Sequence, residues 1–381
     1  MEALTQGAAN LTWQTFVMFA IGGILIYLAV KKDYEPMLLL PIGFGAILVN
    51  IPFAAVWEYD GQEGVLQFFY NVGILTEVFP LLIFVAVGAM IDFSPLLKMP
   101  KMFFLGAAAQ FGIFGTIVAV MAIGNAFPGL GIELKSAAAI GIIGAADGPT
   151  SIFVAAKFAP QFLGPISVAA YSYMALVPII QPPVIRALTT KKERLMRMDY
   201  TERKISRTTV ILFPIVVTVI AGILAPVCVP LVGMLMFGNL IRECGVLERL
   251  SQSAQNELAN LVTLLLGIVI GSTMQYEKFL QPTTLIILGL GFCAFVFDTA
   301  GGVLFVKLLN LFSKHKINPM VGAAGISAFP MSARIVQRMA KKEDPTNFLL
   351  MQAVSANVAG QVASAIAGGM VLAIVPTLLA S

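Results

Sequence analysis

The segment Gly141-Ile-Ile-Gly-Ala-Ala-Asp147-Gly-Pro-Thr150-Ser151 sets one carboxylate and two hydroxyls among residues that interrupt a helix. Glycine and proline there free backbone carbonyls from regular hydrogen bonding. Those carbonyls, the Asp147 carboxylate and the hydroxyls of Thr150 and Ser151 make an oxygen-only ligand set, which suits a hard cation. The same letters also spell a helix start, with Asp147 capping a half-helix that Pro149 opens. One residue can do both, and the sequence leaves both roles open.

A second interrupted segment reads Asn318-Pro-Met-Val-Gly322-Ala-Ala-Gly-Ile-Ser327-Ala-Phe-Pro330-Met-Ser-Ala-Arg334. Arg334 offers a planar cation matched to a carboxylate or a carbamate-like anion. Its alternative is an anchor that snorkels to lipid headgroups. Asn318 and Ser327 are neutral oxygen ligands or helix caps. Two further polar interruptions, Tyr171-Ser-Tyr173 and Ser355-Ala-Asn357-Val-Ala-Gly360, fall within long apolar runs. A phenol at such depth can give up a proton, more readily beside a cation, or it can simply pack. Asp92 belongs at a helix end, whereas Asp298, in Phe297-Asp-Thr299, is a second candidate ion carboxylate without an assigned place. Cys228, Cys244 and Cys293 lack metal-ligand spacing and read as small apolar residues. His315, the single histidine, sits in a basic loop, so a multi-histidine metal site is ruled out.

The solvent dictates which elements position these residues. Of 381 residues, 58% are hydrophobic and 12% charged, with a mean hydropathy of +0.90. Soluble domains are about a quarter charged. The expected fold is therefore an all-α polytopic membrane protein. Spanning takes roughly 20 apolar residues, and about ten transmembrane helices are expected, at 16–30, 36–56, 78–97, 102–124, 163–188, 208–225, 226–242, 261–274, 283–311 and 349–378. Residues 1–15, with Trp13, read as an interfacial lead-in. No basic region precedes the first apolar run, so a cleaved leader is not expected. The net charge of +4 lies in short loops, which points to topology and not to nucleic acid.

Lys191, Lys192, Arg194, Arg197, Arg203, Lys204 and Arg207 crowd the loop 191–207 and assign it to the cytoplasm. Lys31-Lys32, Lys98, Lys101, Lys314–Lys316 and Lys341-Lys342 belong on the same side, and the acidic stretch Glu58–Glu63 on the other. The crossings agree with this only if 136–157 is a re-entrant hairpin entered from outside and 318–337 one entered from the cytoplasm. Residues 81–116 and 264–299 also align without gaps at an offset of 183. Leu81, Leu82, Gly88, Leu97, Leu105, Gly106, Phe114 and Thr116 recur as Leu264, Leu265, Gly271, Leu280, Leu288, Gly289, Phe297 and Thr299. Each copy leads into a Gly-Ala-Ala hairpin and a Pro-then-Phe-Leu turn. In opposite orientations the copies form an inverted repeat, a plan in which ion sites arise where broken segments meet. The chain then divides into N-terminal segments 1–77, a first repeat 78–190, the basic loop, scaffold helices 208–260 and a second repeat 261–381.

The motif around Asp147, Ala170-Tyr-Ser-Tyr-Met-Ala-Leu-Val-Pro178, Ile180-Gln-Pro-Pro183 and the Asn318–Arg334 stretch closely resemble the β subunit of the sodium-pumping, biotin-dependent decarboxylases. So do Leu38-Leu-Leu-Pro-Ile-Gly-Phe-Gly45 and Gly238-Asn-Leu-Ile-Arg-Glu243, and the resemblance covers nearly the whole chain. That family includes oxaloacetate, methylmalonyl-CoA, glutaconyl-CoA and malonate decarboxylases. The resemblance implies an elevator-transporter-like architecture and decarboxylation of carboxybiotin coupled to Na⁺ export. It implies Na⁺ ligands at Asp147, Tyr173, Asn318, Gly322 and Asn357, proton handling by Tyr173, and carboxybiotin near Arg334 and Ser327. It implies partners as well: a biotin carrier subunit, a carboxyltransferase α subunit, a small membrane-anchoring γ or δ subunit, and further copies in a homo-oligomer of the inner, cytoplasmic membrane. The chain departs from the family in reading Gly-Ala-Ala-Asp147 for Gly-Gly-Ala-Asp and Val354-Ser-Ala-Asn357 for Met-Gly-Pro-Asn. Asp298 stands where relatives commonly carry a small residue. The loop after residue 56 is short, where oxaloacetate-type chains often carry an insertion. That favours an acyl-CoA, such as glutaconyl-CoA or methylmalonyl-CoA, over oxaloacetate.

Two rival readings remain from the residues alone: a Na⁺-coupled secondary transporter of a carboxylate or proton, and a scaffold without chemistry. The chain lacks a biotin-acceptor Met-Lys-Met, so a pump requires a separate biotinylated protein. The charge pattern makes a direct prediction. In a background without other cysteines, Leu195→Cys reacts with a membrane-impermeant maleimide from the cytoplasmic face only. Labelling from the outer face would overturn the re-entrant hairpins and the inverted repeat together.

Overall fold

The computed structural model describes residues 7–198 and 204–380; residues 1–6 of the lead-in and Arg203 of the basic loop lie outside the described residues. Helices dominate, as lipid requires, because each helix pairs its own backbone. Among the described residues eight are long and apolar enough to cross a bilayer: Trp13–Lys32, Pro100–Ala126, Pro160–Leu188, Arg207–Leu224, Pro226–Glu243, Glu248–Ser272, Pro282–Phe312 and Leu350–Ala380. Val65–Leu75 and Val78–Met90, bent by 61° between them, make a ninth if counted as one span.

The difference from ten has local causes. The run 36–56 yields the 14-residue helix Pro36–Val49, about 21 Å long at the helical rise. Asn50 ends it, and Pro52 disfavours its continuation. The run 78–97 stops at Met90, because the Asp92 carboxylate takes the Ser94 amide at 2.8 Å and Pro95 opens a separate short helix, Ser94–Lys98. The run 261–274 extends back to Glu248 through a widened turn, Ala254–Leu258, whose Gln255, Asn256 and Glu257 hide it from hydropathy. The acidic stretch is a two-stranded ribbon, Glu58–Tyr59 against Gln62–Glu63. Its Asp60-Gly61 turn is a hairpin signal that an all-α expectation overlooks.

The order of elements recurs along the chain. Val65–Phe69 with its widened turn Tyr70–Leu75 corresponds to Glu248–Ser253 with Ala254–Leu258. Val78–Met90 corresponds to Ala259–Ser272, and Ser94–Lys98 to Tyr276–Phe279. Each copy then enters a long helix that begins at proline, Pro100–Ala126 or Pro282–Phe312.

Helices of the two halves pack across one another. Pro36–Val49 lies on Ala259–Ser272, where Gly45 meets Ile268 and Gly271. Val229–Glu243 lies on Val78–Met90, where Gly238 meets Val85 and Gly88 meets Leu235. A side chain at these glycines would strike backbone, so the helices approach this closely only without one. An asparagine fastens each crossing. Asn50 Nδ2 donates to the Met274 carbonyl at 2.8 Å, and Asn239 Nδ2 to the Ile91 carbonyl at 2.9 Å. Ile91 and Met274 are themselves equivalent at the offset of 183.

Replacing Asn50 or Asn239 by leucine leaves a buried carbonyl unpaired. Each change is expected to destabilise the protein by about 1–2 kcal/mol. The two losses should add, since the asparagines share no partner. Thermal unfolding in detergent measures both, and an unchanged transition in the double variant would show that the asparagines fasten nothing.

Candidate ion-binding site

The first interrupted segment folds as half-helix, break and half-helix. Leu134–Gly141 tightens into a single turn at Ile142–Ala145, and Gly148–Phe158 follows with Pro149 in its first turn. Between them Ala146 takes the left-handed conformation, φ 53°, which costs a non-glycine residue about 1 kcal/mol. Asp147 is extended and caps the second half-helix. Its carboxylate is buried and accepts three hydrogen bonds. The Thr150 amide reaches Oδ1 at 3.3 Å, and the Thr150 and Ser364 hydroxyls reach Oδ2 at 2.7 and 2.6 Å. The Ser151 hydroxyl turns away, to the Asp147 carbonyl at 2.8 Å. No cationic side chain pairs with Asp147 among the described residues.

The second segment breaks between Pro319–Ala323 and Met331–Glu343. Its tip meets the first: the Ser327 amide donates to the Ala145 carbonyl at 3.0 Å. Side-chain amides from three helices donate to the buried carbonyls of this tip. Gln181 donates to Ala323 at 2.7 Å, Gln110 to Gly325 at 3.4 Å, Asn357 to Ile326 at 2.6 Å, and Gln361 to Ser327. The Ser327 hydroxyl itself goes to the Gly360 carbonyl at 2.9 Å.

The two tips are thus joined by one face of the C-terminal helix Leu350–Ala380. Asn357, Gly360, Gln361 and Ser364 follow the i, i+3, i+4, i+7 spacing that puts residues on a single side. Sequence reasoning found Asn357 and Gly360 and missed Gln361 and Ser364. The spacing itself was the available signal.

Other expected residues lie elsewhere. The Tyr173 hydroxyl donates to the Leu288 carbonyl, and its ring meets Phe292 edge-on at 6.1 Å. Tyr171 is the phenol at the first tip: a side chain at Gly148 would collide with its ring, and its buried oxygen has no partner. Asn318 caps Pro319–Ala323 and donates to the carbonyls of Arg194 (3.1 Å) and Met196 (2.8 Å). Gly322 lies backbone to backbone against Gly302. Arg334 is exposed and forms no ion pair among the described residues.

The basic loop is clamped to the far end of the second segment. Arg194 pairs with Glu343 at 2.7 Å and Arg197 with Asp344 at 2.8 Å, while Lys307 reaches Glu193 at 3.2 Å. Hydrogen bonds from the Thr346 hydroxyl and amide, and then from Arg197, hold the Asp344 carboxyl down to about 2.

Chemically, the tip junction is one carboxylate among neutral oxygens. Tyr171 Oη, Asn357 Oδ1 and Ser167 Oγ are buried without partners. No group of three His, Cys, Asp or Glu side chains that could hold a metal ion occurs among the described residues. Oxygen ligands with a single formal charge suit a small monovalent cation better than a transition metal.

A protein-family model described as the Na⁺-transporting oxaloacetate decarboxylase beta subunit matches residues 14–375. The chain is 46% identical over 426 positions to the oxaloacetate decarboxylase beta chain of Klebsiella pneumoniae, covering 98% of each. It is 46% identical over 388 positions to the methylmalonyl-CoA decarboxylase subunit beta of Propionigenium modestum, covering 97% of this chain and 96% of the relative. It is 48% identical over 369 positions to the glutaconyl-CoA decarboxylase subunit beta of Acidaminococcus fermentans, covering 97% and 95%.

The contact at the first tip is open to test by stability. Gly148→Ala should destabilise the protein by about 1–3 kcal/mol and so lower its thermal transition, as a methyl group is forced on the Tyr171 ring. Most of that loss should vanish in a Tyr171→Leu background, as a double-mutant cycle would show. An equal loss in both backgrounds would mean that the ring does not press on the turn.

Proposed function

The chain belongs to the Na⁺-transporting oxaloacetate decarboxylase beta subunit family, the membrane subunits of sodium-pumping decarboxylases, and on that premise we propose that Asp147 holds the transported Na⁺. The observation that carries this reading is a buried carboxylate, unpaired with any cationic side chain among the described residues, where two broken helices meet. Oδ1 accepts a single hydrogen bond, at 3.3 Å, and keeps one lone pair for an ion. Tyr171 and Asn357 contribute the neutral oxygens, both buried and unpartnered. Tyr173, Asn318 and Gly322 support the hairpins in this arrangement, since their polar groups or surfaces are engaged elsewhere.

A protonated carboxyl group that takes up Na⁺ releases its proton, and loss of CO₂ from a carbamate takes up one proton as the C–N bond breaks. Asp147 is the residue that exchanges the two. The hydroxyls of Thr150 and Ser364 both donate to Oδ2 and fix the orientation of the carboxyl group. Carboxybiotin, borne by a separate subunit, would supply the carbamate. Arg334, exposed and without an ion pair among the described residues, would hold its carboxylate through the guanidinium fork. Ser327, committed to Gly360 and Ala145, keeps the tips together.

The same proposal includes re-entrant hairpins, an inverted repeat and an elevator-like movement. The recurring order of elements supports the repeat. The four helices paired at glycine crossings would form the frame, and the hairpins with the C-terminal helix the body that moves. The orientation puts the basic loop in the cytoplasm, at the inner membrane. The partners are a biotin carrier, a carboxyltransferase α subunit, a small γ or δ anchor and further copies of this chain. An acyl-CoA fits best as the carboxyl source. Alignment with the oxaloacetate-type chain takes 426 positions, more than the 381 residues of this chain, whereas the acyl-CoA types take 388 and 369.

Asp147→Asn keeps the shape and a carbonyl oxygen for the cap. It removes the charge that offsets Na⁺ in a low-dielectric site. Na⁺-stimulated decarboxylation by the purified complex should fall by about 100-fold or more, the equivalent of about 2.7 kcal/mol. Assembly, followed by size-exclusion chromatography, should be unchanged. Wild-type Na⁺ dependence in this variant would make Asp147 a helix cap only.

A further inference from the structure

Asp298 lies in the middle of the 31-residue helix Pro282–Phe312 and is fully buried. Neither carboxylate oxygen has a hydrogen-bond partner. The side chain is packed against Gly112, where any β carbon would strike its Oδ1. The nearby Ile113 amide gives its hydrogen bond to the Gln110 carbonyl, 3.1 Å away.

Three more buried oxygens without partners stand on the same two helices: Gln110 Oε1, Thr116 Oγ1 and Thr299 Oγ1. Their isolation is specific. A threonine in a helix can give its hydroxyl to the carbonyl four residues back, as Thr218 does to Pro214 at 2.8 Å. Thr116 and Thr299 do not. The Gln110 side-chain nitrogen donates to Gly106 at 3.2 Å and to Gly325 at 3.4 Å, leaving its oxygen free. Thr116 and Thr299 are equivalent at the offset of 183, but Asp298 corresponds to Gly115. The carboxylate is therefore an addition to one copy, next in sequence to a hydroxyl that both copies share.

We propose that Asp298, with the hydroxyls of Thr299 and Thr116 and the amide oxygen of Gln110, forms a second Na⁺ site, separate from the one at Asp147. A helix cap would have its oxygens paired, and a packing residue would carry no charge into a buried helix crossing. One carboxylate among neutral oxygens balances a monovalent ion, whereas Ca²⁺ and Mg²⁺ sites draw on more charge. The choice of Na⁺ among small cations rests on the reading of Asp147. Gln110 connects the two sites, because the same side chain holds Gly325 in the second tip, two residues from Ser327.

The test is equilibrium binding of ²²Na⁺ to the purified decarboxylase complex without acyl substrate. Wild type should bind one more Na⁺ per copy of this chain than either Asp298→Asn or Asp147→Asn, and the double variant none. Thr116→Val with Thr299→Val preserves shape and charge, and should weaken one class of site by about tenfold. If Asp298→Asn assembles and binds as much Na⁺ as wild type, the second site is overturned while the reading of Asp147 stands. If Asp298→Asn fails to assemble, the valine pair decides, and an unchanged isotherm there overturns the site. Loss of an ion in Asp298→Asn but not in Asp147→Asn would sink the reading of Asp147 and keep the site at Asp298.

Discussion

Lipid offers no hydrogen bonds, so every carbonyl and amide that a helix break sets free has to be met from within the protein. The second broken segment exposes four carbonyls in five residues, at Ala323, Gly325, Ile326 and Ser327. Each receives a carboxamide from a different position: Gln181, Gln110, Asn357 and Gln361. The rest of the molecule is arranged around that requirement. Gln110 sits where Phe103–Ala109 gives way to Phe111–Ala126, Gln181 among the prolines of Leu163–Leu188, and Asn357 and Gln361 on the C-terminal helix. Three helices converge on one tip because that tip cannot be left unpaired. The first tip then needs little more than the Ser327 amide on Ala145 to be held against it.

Asp147 gains its character from the same constraint. Capping a half-helix and holding an ion are often treated as competing roles, but they use different lone pairs. The Thr150 amide occupies one direction of Oδ1 at 3.3 Å, and two hydroxyls occupy Oδ2. A carboxylate has about four acceptor directions, so one remains for an ion, oriented by the very hydrogen bonds that fix the cap. Ser364 matters here because it belongs to the C-terminal helix, whose Gln361, one turn earlier, holds the second tip. A shift of that helix would be felt by both tips at once.

Much of this was legible in the residues. Hydropathy gave the apolar runs, and glycine and proline marked both breaks, since those residue types act through local backbone geometry. The offset of 183 was visible as well, and its Gly88 and Gly271 both lie at close helix crossings. What stayed hidden depends on tertiary direction. Tyr171 and Tyr173 are two apart on a helix and therefore point to different sides. No pattern within Tyr-Ser-Tyr says which one faces Asp147, and the structure puts Tyr171 there. Asn318 looked like a ligand because an asparagine beside a break suits either role, yet its amide is taken up by the backbone of the basic loop. The polar start of Glu248–Ser272 defeated hydropathy because charge and amide groups there belong to a helix end.

The basic loop shows how one feature meets two demands. Its lysines and arginines satisfy a topological preference that needs charge alone and no particular contact. Several are nevertheless fixed in place. Arg194 and Arg197 pair with Glu343 and Asp344 at the end of one arm of the second segment, and Asn347 just beyond donates to the Met196 carbonyl at 3.2 Å. Asn318, at the start of the other arm, donates to that same carbonyl. Pairs that stay partly open to solvent contribute little to stability individually. Their value is geometric, because they tie the two ends of a broken segment to one short stretch of chain. With its ends joined in this way, the segment is constrained to move as one piece. In the proposed elevator a shift of the tip would carry the loop with it, and with the loop the face on which Arg334 is exposed.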